Sequence, residues 1–329
     1  MNKGDLKKMT KIEKIEDLVD FISPFYPNLD VDNYQIIEFE SALTDVYISL
    51  IGKILMYSPQ NLRLFLRSYL LKFEIKNVKK ILLNSLLGRN YEEKRENINY
   101  EVEMLLNRRR FFDKLLKLNT LDEILFYMEK TRYHKIIKEG LIYFKKNNEI
   151  FMLEAFLDKM FYDNLLKNIQ KFNKKEKNII LPFVQYITEL YNIRIIFRGI
   201  RNDIDRQLMK QLIINEYLYL NEEIISNLTE CQDQKEFSRI FYRFLSNHKE
   251  LQQYFEIHNS HKKNLMKFSN IIYQDHYFSE LDIAIDDFDS VTIAGILELL
   301  IKKEFEIKNH IIPMIIKILH QKFKILEMN

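Results

Sequence analysis

The sequence predicts an all-α protein composed of three related helical units. The 329 residues include 6 Gly and 5 Pro, whereas average usage would give roughly 23 Gly and 16 Pro. Such a shortage of turn-forming residues favours long helices, and no segment shows the alternating apolar pattern that is typical of a strand. A stretch that occurs three times along the chain indicates an internal repeat.

The repeated stretch is built on a glutamate that is followed three residues later by an asparagine. Its copies begin at Phe73, Thr188 and Phe305, and their glutamates stand 115 and 117 residues apart. Apolar or aromatic residues stand nine and five positions before each glutamate, and one and eight positions after it. The six residues of the repeated motif are Glu74, Asn77, Glu189, Asn192, Glu306 and Asn309.

This spacing predicts three helical repeats, with boundaries at residues 1–99, 100–202 and 203–329. In the first repeat, Ser58-Pro59 is expected to start the key helix, because serine caps helices and proline is tolerated at the first helical position. The helix should run to about Gly88, a residue type that commonly ends helices.

The second and third repeats each contain a corresponding key helix. In the second, residues 173–177 are expected to form a charged turn, and the helix should run from about 179 to 200 with Pro182 near its start. In the third, the helix should run from 291 to about 312. Pro313 is then expected to kink or end it.

Composition and charge exclude several classes of function. Lys and Arg number 50 and Asp and Glu number 47, for a net charge of +3, which does not indicate a nucleic-acid partner. The single cysteine, Cys231, allows no internal disulfide and fits a reducing compartment such as the cytoplasm. The sequence indicates neither a signal peptide nor a transmembrane helix.

The sequence also lacks the patterns of common active sites. It contains no phosphate-binding glycine loop and no nucleophile elbow, so we expect no catalytic residue and no cofactor. His258, His261 and His276 follow no metal-site spacing, and no metal site is expected. The basic run 108–110 is interpreted as a solvated helix face. Each Glu/Asn pair shares one helix face, and we expect it to connect its helix to neighbouring segments.

The repeated motif resembles the C subunit of A-type and V-type rotary ATPases, whose eukaryotic counterpart is the d subunit of the vacuolar enzyme. The residues that carry the resemblance are Phe73–Leu82, Thr188–Arg198, Lys303–Asn309 and Leu153–Asp158. The resemblance implies a pseudo-threefold, funnel-shaped arrangement of the three units. It also implies a non-catalytic rotor subunit, peripheral to the membrane on its cytoplasmic side, whose partners are the proteolipid rotor ring and the shaft subunits of the central stalk. Contact with the membrane would then be indirect, through the ring.

Two other classes of function remain open from the residues alone. One is a generic all-helical scaffold that binds another protein, although common helical repeats have a period of about 34 to 47 residues. The other is an all-helical enzyme, which would need one convergent polar pocket instead of three equivalent pairs.

Overall fold

The structure is a computed structural model that describes residues 1–31, 34–96, 98–108, 110–147, 150–262, 264–283 and 288–327. Across these ranges the regular structure is entirely helical, with no strand, which confirms the all-α prediction. The helices of the first half are α1 Lys3–Met9, α2 Ile15–Ile22, α3 Ile36–Tyr57, α4 Gln60–Leu86, α5 Tyr91–Arg95, α6 Glu101–Leu105, α7 Phe111–Leu116, α8 Leu121–Met128 and α9 His134–Asn147.

The second half continues with long helices and shorter connecting ones. They are α10 Ile150–Ile169, α11 Lys174–Arg201, α12 Arg206–Leu212, α13 Glu222–Thr229, α14 Gln234–Asn247, α15 Gln252–Ile257, α16 Leu265–Ile283, α17 Phe288–Glu306 and α18 Ile312–Glu327. A 3₁₀ turn spans Asn259–His261, and a π-helical turn spans Ile307–Ile311.

The chain divides into two compact units. Unit 1 comprises Met1–Lys117 and Glu298–Asn329, and unit 2 comprises Leu118–Leu297. In unit 1, α3 packs along α4, and α18 packs on α2 and α3. In unit 2, α11 packs against α10 and α16. The division into three repeats remains a prediction.

The connection between α3 and α4 differs from the predicted cap. Ser58 does not cap α4. Its hydroxyl donates to the carbonyl of Ile54 at 2.7 Å and so provides a partner for a carbonyl in the last turn of α3. Pro59 occupies the N-cap position of α4. At the other end, Gly88 adopts φ +68°, a conformation that costs glycine little. The predicted stop is therefore close to the observed one.

The second key helix begins earlier than predicted, and the expected charged turn at 173–177 is wrong. The Asn173 side chain accepts a hydrogen bond from the N–H of Glu176 at 2.9 Å, and the Glu176 carboxylate accepts the N–H of Asn173 at 3.2 Å. This reciprocal capping box satisfies two otherwise unpaired donors and starts α11 at Lys174. Pro182 consequently lies inside the helix.

The third key helix is interrupted where it was predicted to continue. Its α-helical part ends at Glu306, the π-helical turn follows, and Pro313 is the second residue of α18. Proline has no backbone N–H to donate to the preceding turn, and such a position commonly carries a helix irregularity. Of the predicted kink or end at Pro313, the end is wrong, because helical structure continues to Glu327, and an irregular turn lies on the N-terminal side of the proline.

The composition of α11 meets the requirements of a membrane span. Over the part of the chain that is described, it is the one helix with the necessary length and hydropathy, and 67% of its most apolar window is buried inside the protein. Core helices share these properties, so α11 is weak evidence for a span.

Candidate functional site

The first Glu-x-x-Asn pair connects α4 to the segment that follows it. Glu74 is fully buried, and its Oε1 accepts a hydrogen bond from Nη1 of Arg108 at 3.0 Å. Asn77 Nδ2 donates to the carbonyl of Asn99 at 2.8 Å, and Asn77 Oδ1 accepts the N–H of Asn99 at 3.2 Å. We predicted that Arg108 belongs to a solvated basic run. This prediction is wrong for Arg108, because its guanidinium forms an ion pair with a buried carboxylate.

The second pair connects α11 to the segment after α12 in the same way. Asn192 Nδ2 donates to the carbonyl of Ile214 at 2.8 Å, and its Oδ1 accepts the N–H of Ile214 at 3.0 Å. Glu189 differs from Glu74 in its partners. Its Oε2 accepts three consecutive backbone N–H groups, from Leu218, Tyr219 and Leu220, at 2.7, 2.9 and 3.0 Å. Consecutive N–H groups form a concave site that favours an anion.

The first two pairs share a detail that the sequence did not reveal. In each, the asparagine binds both polar groups of one backbone unit, and that unit lies 22 residues further along the chain. The partners, Asn99 and Ile214, contribute their backbone, which leaves no side-chain signature. The equal separation of 22 residues between each asparagine and its backbone partner is the signal that could have identified these partners.

The burial of Glu189 affects its titration. Burial raises the pKa of this carboxyl above its ordinary value, although the Tyr273 phenol and the three backbone N–H groups act in the opposite direction. Burial, and then the nearby charge of Glu189, raise the pKa of the Tyr273 hydroxyl well above its usual range. Desolvation disfavours the charged form of an acid, and here it outweighs the hydrogen bonds.

The third pair has a different environment. Glu306 Oε1 accepts from the amino group of Met1 at 2.6 Å, and its Oε2 accepts from the Tyr26 hydroxyl at 2.6 Å. Lys303 contributes a further ion pair at 3.2 Å. Asn309 Nδ2 donates to the carbonyl of Phe305 at 3.2 Å, within its own helical segment. This asparagine therefore differs from the first two, which bind a distant backbone unit.

A second carboxylate near the third pair was missed by sequence reasoning. Glu304 accepts from Lys72 Nζ at 2.5 Å and from the Tyr69 hydroxyl at 2.7 Å, and it also pairs with Lys308. Tyr69 is hydrogen-bonded to Tyr47 at 3.2 Å. Burial opposes ionisation, but the ammonium groups of Lys308 and Lys72 hold the pKa of Glu304 well below its usual range. This cluster links α4 to α17 within unit 1.

Replacing Glu304 with Gln is expected to destabilise the protein by about 1–2 kcal/mol at neutral pH, because two ammonium groups lose their partner. A lowered carboxyl pKa contributes stability above the unfolded-state pKa, and that contribution is lost as pH falls. The penalty should therefore shrink below pH 4.5, the ordinary glutamate value.

Urea unfolding of wild type and Glu304→Gln at pH 7 and pH 3.5 measures this difference. Glu298→Gln is the matched control, since Glu298 forms an exposed pair with Lys302 on the same helix. It should change stability by less than about 0.5 kcal/mol at both pH values. A penalty for Glu304→Gln that is equal at the two pH values would contradict the prediction.

The three pairs differ in the groups that they bind. Each pair lies on its own helix and has partners of its own, which include a guanidinium, a set of backbone N–H groups and an amino group. This arrangement positions the segments that follow or precede the key helices.

Two histidines of the 258–276 segment each lie close to a polar side chain. His258 Nε2 lies 2.6 Å from Asp275 Oδ2, and His276 Nδ1 lies 2.5 Å from the Tyr219 hydroxyl. The described residues contain no group of three or more His, Cys, Asp or Glu side chains that could hold a metal ion.

Comparison with known proteins identifies the family. The model of the family described as ATP synthase (C/AC39) subunit matches residues 1–323. The C subunit of the A-type ATP synthase of Methanocaldococcus jannaschii is 30% identical over 49% of this chain and 39% of its own length. The corresponding protein of Methanosphaera stadtmanae is 23% identical over 71% of this chain and 59% of its own length. That of Methanosarcina acetivorans is 27% identical over 44% and 38%.

The match agrees with the resemblance deduced from the repeated motif. The chain spans between 38% and 59% of the length of these curated relatives, whereas the family model covers almost all of the chain. The family is a structural part of ATP synthases and not a catalytic one, in agreement with the prediction of a non-enzymatic protein. The chain belongs to the ATP synthase C/AC39 subunit family.

Proposed function

We propose that this protein is a non-catalytic rotor subunit of an A/V-type rotary ATPase, in which it couples the membrane proteolipid ring to the central stalk. In this role it would transmit torque between ion movement through the membrane and ATP synthesis or hydrolysis in the head. The observation that carries the proposal is the family match over residues 1–323.

The internal contacts suit a part that transmits force. Long helices with few glycines are stiff. The segments that connect these helices would make the subunit less rigid if they moved freely. The Glu/Asn pairs fix two of those segments through hydrogen bonds at 2.7–3.2 Å to buried or half-buried backbone groups. We also propose that the three motif copies mark three helical repeats, at 1–99, 100–202 and 203–329, arranged as a pseudo-threefold funnel.

The proposed location is the cytoplasmic face of the membrane, with attachment through protein partners. Lys and Arg exceed Asp and Glu by only three residues, which is a weak charge for direct binding to an anionic membrane surface. The ring and shaft subunits would then hold the protein, and no nucleic-acid partner or cofactor is involved. A generic helical scaffold that binds another protein is the alternative, and its partners would lie outside the synthase.

Co-purification tests this proposal. The chain is tagged in cells that assemble the rotary ATPase, the membranes are solubilised with a mild detergent, and the tagged protein is captured. We expect to recover both the proteolipid and the shaft subunits, and recovery should persist at moderate salt. Salt weakens interactions between exposed charges, with a Debye length of about 8–10 Å at these ionic strengths, and it weakens buried contacts much less.

An untagged strain supplies the control for adventitious capture. If the tagged protein is recovered without the proteolipid and without the shaft subunits, while the same cells contain assembled motor, the generic scaffold becomes the better account.

A further inference from the structure

The connection between α3 and α4 exposes apolar side chains at the end of a helical hairpin. Tyr57, the last residue of α3, is 89% exposed, and Met56 is 66% exposed. Leu64, in the second turn of α4, is 42% exposed. Single exposed apolar residues are common on protein surfaces, whereas a group of them commonly marks an interaction site.

These residues share their helix faces with basic residues. On α3, Met56 and Tyr57 follow Lys53 by three and four positions, so the three side chains lie on one face. On α4, Leu64 lies beside two exposed arginines at positions 63 and 67, again at helical spacing. We call this group the hairpin tip: Lys53, Met56, Tyr57, Arg63, Leu64 and Arg67.

The hairpin tip is positively charged in an otherwise balanced chain. The sequence contains no acidic residue between Asp45 and Glu74, and it contains four basic residues in that interval. Lys72 is one of them, and it pairs with Glu304 at 2.5 Å. The three basic residues of the tip form no ion pair with any residue that the structure describes, so their charge is available to a partner.

We propose that the hairpin tip is a docking surface for a protein partner that presents an apolar pocket rimmed with carboxylates. The inference rests on the proposed function, since the partner would be another subunit of the same synthase. Tyr, Met and Arg are enriched at protein interfaces, and Tyr and Arg are among the residues that dominate their binding energy. Tyr57 and Met56 would fill the pocket, and the arginines would face the carboxylates.

Charge and size favour a protein over the other occupants. Recognition of anionic lipid headgroups generally uses clusters of about 4–8 basic residues, and the tip has three. A second copy of this chain docked through the same patch would place like charges against each other, because a two-fold contact pairs a surface with itself. An acidic protein surface satisfies both the charge and the exposed aromatic ring.

The test is co-purification of tagged variants from cells that assemble the complex. Met56→Ser combined with Tyr57→Ser removes the apolar anchors, and Arg63→Gln combined with Arg67→Gln removes the charge. Phe126→Ser is the matched apolar control, since Phe126 is 80% exposed on α8 in unit 2. Lys138→Gln combined with Arg201→Gln is the matched charge control, because both residues are exposed in unit 2. Thermal unfolding of each purified variant verifies that it is folded.

We expect the apolar variant to reduce recovery of at least one other synthase subunit about tenfold or more, and the charge variant to reduce it by a smaller factor. Both controls should behave as wild type. Unchanged recovery with the apolar variant overturns the inference and leaves the proposed function intact, whereas failure of wild type to recover any synthase subunit overturns both. Binding of wild type to phosphatidylglycerol vesicles that is lost in both tip variants, with co-purification unchanged, would identify a lipid surface and also overturn the inference.

Discussion

Replacing Glu189 with Ala is expected to lower the free energy of unfolding by about 3–5 kcal/mol, because one carboxylate oxygen is the acceptor for three backbone N–H groups. Those donors belong to Leu218, Tyr219 and Leu220, and the last is only 5% exposed. A buried donor without a partner costs about 1–3 kcal/mol. A typical domain is stable by about 5–15 kcal/mol, so this single substitution should consume a large fraction of the total.

Glu189→Gln distinguishes the hydrogen bonds from the charge. The amide oxygen of glutamine can accept the same three N–H groups. Its nitrogen would replace Oε1, which is buried and accepts none of the three N–H groups. We expect this variant to lie within about 1 kcal/mol of wild type. Because the pKa of Glu189 is raised, wild type loses stability as pH rises above the ordinary glutamate value, and the Gln variant should lack that loss.

Urea unfolding of wild type, Glu189→Ala and Glu189→Gln between pH 4 and pH 8 measures these effects. If both substitutions destabilise the protein equally, the three N–H groups do not account for the role of Glu189. If the Ala variant keeps wild-type stability but loses its synthase partners, the residue acts in docking and not in folding.

The three asparagines of the repeated motif are expected to give a graded series when each is replaced by Ala. Asn192→Ala should cost about 2–4 kcal/mol, because both polar groups of the Ile214 backbone unit lose their partner in a buried place. Asn77→Ala should cost about 1–2 kcal/mol, since Asn99 is half-buried and water can replace part of what is lost. Asn309→Ala should lie within about 0.5 kcal/mol of wild type, because alanine is the better helix former.

The same unfolding experiment ranks the three variants, and Asn309→Ala serves as the internal control. Thermal melts at one protein concentration provide an independent order. Equal losses at all three positions would mean that the copies are energetically equivalent, and the different partners of the third copy would then have no consequence for stability.

The all-α class followed from composition, because a chain with 6 Gly and 5 Pro cannot supply the turns that a sheet of many short strands requires. Helix boundaries were less well predicted where two local signals competed. Residues 173–177 are charged and contain Asn, as many turns do, yet the capping box between Asn173 and Glu176 makes this segment the start of α11. At Ser58, a serine-proline pair suggested a cap, but Pro59 occupies the N-cap position and the Ser58 hydroxyl donates to the Ile54 carbonyl in the last turn of α3.

The partners of the motif residues could not be deduced from the sequence. Glu74 is neutralised by Arg108, 34 residues away, and Glu189 is stabilised by three backbone N–H groups. The glutamate of the sequence motif therefore meets a cation in one copy and peptide dipoles in another. A backbone partner carries no sequence signature. For that reason the motif predicted that each Glu/Asn pair connects its helix to a neighbouring segment, but it did not predict which segment.

The sequence alone determined the helical class, the spacing of the three motif copies and the membership of the family, because these depend on residue types and their order along the chain. The tertiary structure alone decided the surroundings of each carboxylate. Burial raises the pKa of Glu189, whereas two ammonium groups overcome burial and lower that of Glu304. The sign of such a shift depends on which charges and dipoles lie within a few ångströms. Folding brings those groups together from segments that are as much as 235 residues apart along the chain.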